Sequence, residues 1–243
     1  MRRLVSVSLP VLPCSRPFRP ALGLVAGGCV ALLLFGCDNT ARVNFQSGEL
    51  TFAVSSADIG LPPELQAMDG RIATIPCGGA TQCPPSTLTP LRCDGSGCDP
   101  EPIELVAPVG EPIDVDALRS GLPTAVSRVE AIDIREITYA INLNTFTLPM
   151  NDVQVLWAPE GAATGMTLLG TIPSIEAEAV ETGLVLLDGD GELELSDYLL
   201  GTSPRVRFFI RTTIDLNPGD PFPEGELQVG VTVALTASGP IID

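Results

Sequence analysis

Residues 205–216 read RVRFFIRTTIDL, and residues 226–236 read ELQVGVTVALT. In the first stretch Val206, Phe208, Ile210, Ile214 and Leu216 share one parity. In the second, Leu227, Val229, Val231, Val233 and Leu235 do the same. Successive strand side chains point to opposite faces, so this period of two describes half-buried antiparallel strands. The residues between them, 217–225 (NPGDPFPEG), are turn formers.

The same pattern extends towards the N-terminus. Residues 129–145 (VEAIDIREITYAINLNT) form a long β-type run whose phase changes along its length. Ile132 and Ile134 share one parity; Ile137, Tyr139, Ile141 and Leu143 share the other. A bulge near Arg135-Glu136 reconciles the halves. Further strands are expected over 152–157, 167–172, 183–187 and 192–195, and earlier over 48–54, 71–75 and 102–107. A helical turn at 63–68 and a brief helix at 115–120 complete the reading. No three-turn helical stripe is expected beyond residue 125. With 23 prolines and many short strands, the expected fold is all-β. It is an antiparallel β-sandwich, immunoglobulin-like or jelly-roll in type, with a disulfide-stapled loop insertion. The expected organisation is a leader over 1–36, a tether over 37–46, N-terminal strands and a Cys-rich loop over 47–125, and the sandwich core over 126–243.

The first 36 residues contain no acidic side chain. They carry Arg2, Arg3, Arg16 and Arg19, then a 16-residue apolar run from Ala21 to Gly36. A basic segment followed by an apolar one is the pattern of an export signal. The run is diluted by four glycines and falls short of the about 20 apolar residues a membrane helix needs. It ends Leu34-Phe35-Gly36-Cys37, which resembles the lipobox of bacterial lipoproteins. The resemblance implies cleavage before Cys37 and lipidation of that cysteine, hence a membrane-anchored protein of the cell envelope, outside the cytoplasm. Cys29 is a rival site, but its apolar run from Pro20 is too short. Phe35 departs from the usual small or β-branched residue at that place.

Beyond residue 36 lie all 30 acidic residues and nine arginines, a net charge of −21. That charge repels phosphate backbones, so nucleic acid is not an expected partner. It is also unfavourable at anionic lipid surfaces, which leaves the lipid to hold the chain at a membrane. There is no histidine and no lysine. This removes histidine-based triads, Schiff-base lysines, the phosphate-binding lysine of P-loops and histidine metal sites. Carboxylate-only chemistry, as in glycosidases, remains open.

Four cysteines, Cys77, Cys83, Cys93 and Cys98, lie within 22 residues. In an exported chain they read as two disulfides. They include no C-x2-C pair, which argues against zinc and against a redox role. Of three connectivities, Cys77–Cys83 with Cys93–Cys98 is favoured, and the nested Cys77–Cys98 with Cys83–Cys93 follows closely. The segment is too polar to build a core, so the bonds staple a loop.

Residues 187–198 (LDGDGELELSDY) resemble part of an EF-hand or dockerin-type calcium loop. The resemblance implies Asp188, Asp190 and Asp197 as calcium ligands, although Leu186 stands at its first position. The competing reading is a β-hairpin turning at Asp-Gly. Arg205, Arg207 and Arg211 line one strand face around Phe209; they are expected to pair with acidic side chains across strands, or to meet an anion or partner. Asp114 and Asp116 are expected to be solvated. Together these features suggest a non-enzymatic envelope lipoprotein whose β-sandwich binds or scaffolds a protein partner. The alternatives are a calcium-dependent adhesion module and a carboxylate-only hydrolase.

Overall fold

The two alternating stretches become interior strands of two separate sheets. In the computed structural model, the described residues are 40–78, 82–86, 89–93, 97–116, 129–162, 164–202 and 204–240. The leader, Cys37 and most of the helix expected at 115–120 lie outside them.

Strand β12 (Glu226–Pro240) is the spine of the first sheet. One of its edges pairs with β6 (Ala131–Asn144), which in turn pairs with β9 (Thr182–Leu184). Its other edge takes two strands end to end, β1 (Thr40–Gln46) and β2 (Leu50–Ser55). The second sheet runs β10 (Leu186–Leu187), β8 (Thr167–Ile172), β7 (Asn151–Pro159), β11 (Arg205–Ile214) and β5 (Ile103–Asp114). Every pairing is antiparallel. The inward side chains of both sheets form one core, including Ile137, Val155, Ile210, Val231 and Phe208. The protein is therefore an all-β sandwich, with a small hairpin of β3 (Leu91–Cys93) and β4 (Cys98–Pro100) beside it.

The phase change in β6 has the expected cause. Leu235 pairs with Ile134 and Ala234 with Glu136, so Arg135 is the extra residue of a bulge. A second bulge was not expected. Val229 pairs with Ile141 and Gln228 with Leu143, leaving out Asn142. This second phase change turns Leu143 outward (36 % exposed) and buries Asn144 in its place. Asn144 is satisfied there by the carbonyls of Glu176 and Ala179, each at 3.0 Å. Asn142 donates to the Glu49 carboxylate at 2.6 Å. Glu49 lies against Gly230, where a Cβ would meet its side chain.

Three expectations are corrected. The tether over 37–46 is strand from Thr40 onward, with Val43 and Phe45 in the core. The segment 47–125 is no separate region: β2 and β5 belong to the two main sheets. The strand expected at 192–195 is part of helix α2 (Gly189–Leu199), which follows the four-residue α1 (Ser56–Ile59) in chain order. Two features account for α2. Asp188 caps it by accepting from the Gly191 amide at 3.0 Å, and Leu195 and Leu199 at spacing four fill the core. The alternation of Glu and Leu over 192–195 concealed that stripe.

One side of the sandwich is closed by this region. Residues 182–187 pair first with β6, turn Val185 into the core, and then pair with β8. Helix α2 packs on β6 and β8 beside them. Tyr198 of α2 stacks obliquely on Trp157, with ring centroids 5.3 Å apart.

Candidate functional site

The two ends of the sandwich differ. At one end Thr40 pairs with Pro240, and Ser238 with Ala131. The chain enters the fold there. At the opposite end lie the β6–β7 link, the residues after β8, the long 215–225 connection and the whole disulfide module. That module is stitched to the 215–225 connection: Ile72 N–H donates to Asp220 O at 2.8 Å, and Arg71 reaches Gly219 O at 2.6 Å.

A cavity of about 600 Å3 opens at this second end, on the outer side of the second sheet. Asn151, Asp152, Gln154, Thr171, Ser174 and Arg211 contribute to its lining. Two backbone irregularities shape it. Between Arg211 and Thr213 the β7–β11 register slips: β7 carries the extra residue, with Asp152 and Val153 opposite Thr212, which is buried and donates to Asn151 O at 2.9 Å. Asp152 has a φ of 51°, in the left-handed region that Asp tolerates better than most residues. Bulges and left-handed residues concentrate at functional sites, because surrounding structure must hold them in place. The lining offers hydroxyls and amides with one cation and one carboxylate. Such a surface makes directional hydrogen bonds to a polar ligand or to a loop of a partner. A glycosidase-type mechanism needs two carboxylates flanking one bond, and Asp152 is the single carboxylate in this lining.

The arginine face is present as expected, opposite the buried parity of β11. Arg211 pairs with Glu104 of β5 at 3.1 Å, and Arg205 pairs with Glu160 just beyond β7. Glu104 is the strand partner of Thr213, so its contact with Arg211 is diagonal across the sheet. Both pairs are part-exposed and contribute little to stability. The Arg207 Nε is buried without a hydrogen-bond partner among the described residues. Asp114 and Asp116 are exposed, and the Asp116 amide donates to the Asp114 carboxylate at 3.0 Å.

Asp188, Asp190 and Asp197 do not converge. Asp188 is the N-cap of α2, Asp190 lies in its first turn and Asp197 near its end. Nine residue steps separate the outer two, about 13 Å along the axis. The segment is neither the expected hairpin nor a loop around an ion. Replacing Asp188 with Ala is expected to lower stability by about 1 kcal/mol, the usual worth of an N-cap. Asp188→Asn should retain most of it, and calcium should leave both urea midpoints unchanged.

The cysteines pair as Cys77–Cys93 and Cys83–Cys98, the third possible connectivity. The favoured and nested alternatives both overlooked the backbone beside the hairpin. Cys98 N–H donates to Ile75 O at 2.9 Å, and Pro76 bridges to Gly97. The segment entering the module therefore lies against the hairpin, and each bond runs from that incoming segment to the hairpin. The segment makes isolated bridges at Arg71, Ile72 and Pro76 in place of the strand expected over 71–75. The disulfides close loops of sequence separation 16 and 15, each worth about 3 kcal/mol by loop entropy.

One buried hydroxyl is electrostatically shifted. Burial, then the charge of Glu181 and a hydrogen bond to it, push Tyr139 above its usual 10.0. It stays a neutral donor to Glu181 at 3.4 Å. The cavity residues Asn151 and Asp152 carry no motif. A strand-initiating Asn-Asp pair is the sole sequence signal there, and it does not distinguish a site from a turn.

Fold and site together define an all-β sandwich with a disulfide-stapled module and a polar cavity at one end. Comparison with known proteins finds no matching family, no matching curated protein and no matching solved structure.

Proposed function

We propose that this chain is a lipoprotein of the cell envelope, anchored through lipid on Cys37. It is a non-enzymatic module that binds or scaffolds a protein partner through the end of the sandwich bearing the cavity. The observation that carries this reading is the polarity of the fold. Thr40, three residues after Cys37, starts β1 at one end, and the cavity and stapled loops collect at the other. The 15 residues of β12 span the distance between them, roughly 45 Å at strand rise. A short lipidated stem would hold the entry end at the bilayer and turn the opposite end outward.

Two further features support the reading. The disulfides are compatible with a compartment outside the cytoplasm. No helix among the described residues is long and apolar enough to cross a membrane, so attachment on this reading falls to the lipid.

The test has two arms in intact cells. Labelled palmitate is expected on the wild type and absent from Cys37→Ser; equal labelling of both would overturn the anchor. A photo-crosslinking residue at Asp152 or Ser174 is expected to capture a discrete protein adduct, and one at Glu130 to capture little. Equal capture at both ends, or none at Asp152 and Ser174, would overturn the binding end.

A further inference from the structure

We propose that the four module cysteines form a redox-gated site for a thiophilic divalent cation of the zinc type. The site is closed while the disulfides stand and is created when both are reduced. The inference rests on sulfur placement across the two bonds. The Sγ atoms of Cys77, Cys83 and Cys98 lie within 4.8 Å of one another, although Cys77 belongs to a different disulfide from the other two. Cys93, bonded to Cys77, supplies a fourth sulfur beside this group of three. Four thiolates around a tetrahedral zinc stand roughly 3.8 Å apart, given a Zn–S bond of about 2.3 Å. Once the bonds open, each formerly bonded pair has to part by about 1.8 Å to reach that arrangement, and Cys77, Cys83 and Cys98 already lie within 4.8 Å of one another.

Backbone pairing keeps Cys77, Cys93 and Cys98 there without the covalent links. Cys93 and Cys98 are direct partners in the β3–β4 hairpin. Cys77 follows Pro76, which bridges to Gly97, and Ile75 accepts from Cys98 N–H. Cys98 is fully buried, which shields the site from water. Thr89 ties the module to the sandwich through its hydroxyl, which donates to Ile59 O at 2.5 Å. The chain has no histidine, and its many carboxylates favour hard cations. Among the described residues a thiophilic ion therefore has no comparable competitor site.

The chemistry balances with a dithiol as reductant. Each disulfide takes two electrons and two protons from a dithiol, which closes to its own disulfide, and four thiols result. The cation binds as the thiols release protons. Reoxidation by a disulfide reverses the exchange and expels the ion.

The test uses the full chain with Cys14→Ser, Cys29→Ser and Cys37→Ser, so that the module holds all remaining thiols. Cadmium ion is the probe, and thiolate-to-cadmium absorption in the ultraviolet is the readout. The oxidised protein is expected to show no band. After reduction with a phosphine, the band should saturate at one ion per chain, with β-type circular dichroism retained. Cys77→Ser and Cys98→Ser should each weaken binding on the order of 100-fold, because a lost thiolate removes a ligand. The proposal is overturned if the reduced protein shows no band. It is equally overturned if either serine variant binds as tightly as the parent. It is also overturned if urea leaves the affinity unchanged, or if reduction abolishes the circular dichroism and cadmium does not restore it.

Discussion

Replacing Gly191 by alanine is expected to destabilise the protein by about 3 kcal/mol or more, enough to prevent folding of a marginally stable domain. Helix propensity alone gives the opposite sign, since alanine in a helix is favoured over glycine by about 1 kcal/mol. The site decides otherwise. A Cβ on Gly191 would be driven onto the Leu168 carbonyl oxygen and lie 2.8 Å from its carbon. Both are backbone atoms of β8, held in the sheet by pairing with β7. The strand cannot yield without losing those pairs, and α2 cannot retreat without withdrawing Leu195 and Leu199 from the core. Overpacking of this kind costs more than propensity returns. Gly189, two residues earlier, has nothing within 4 Å of the same added atom. Gly189→Ala should therefore be neutral or stabilising by about 0.5 kcal/mol. Urea midpoints of the two variants should move in opposite directions. Equal midpoints would show that α2 does not press on β8.

The second large effect separates two residues that look alike in the sequence. Ile137 and Leu143 share a parity in the run 129–145 and would share a face in a regular strand. Ile137 is fully buried, whereas Leu143 lies 36 % exposed because of the bulge at Asn142. Ile137→Ala should cost about 3–4 kcal/mol through lost burial and the cavity left behind. Leu143→Ala should cost less than about 1 kcal/mol. Comparable losses in thermal unfolding would mean that the second bulge is absent and that β6 keeps one phase past Ile141.

These two cases mark the boundary of what could be read from the residues. The first bulge announced itself, because Ile134 and Ile137 have incompatible parities and both are strongly apolar. The second was hidden. Leu143 is apolar and fits the preceding phase, while Asn144 is polar and becomes buried because two carbonyls from 176–179 reach it. Helix α2 was missed for a related reason. The residues 192–195 alternate like a strand, and the stripe of Gly191, Leu195 and Leu199 has meaning only against β6 and β8.

The alternating stretches 205–216 and 226–236 were enough by themselves to determine an all-β fold and the inward face of β11 and β12, because a period of two leaves one choice of face. Composition alone removed histidine and lysine chemistry, and four clustered cysteines implied two disulfides. Tertiary structure decided the rest. It crossed the disulfides, because neighbouring backbone pairing rather than turn length sets which sulfurs meet. It converted an acidic loop into a capped helix, because the core supplied a surface for Leu195 and Leu199. It built the cavity from Asn151, Asp152 and Arg211, because a bulge and a left-handed residue bring three strands to one opening, and neither has a signature in local sequence.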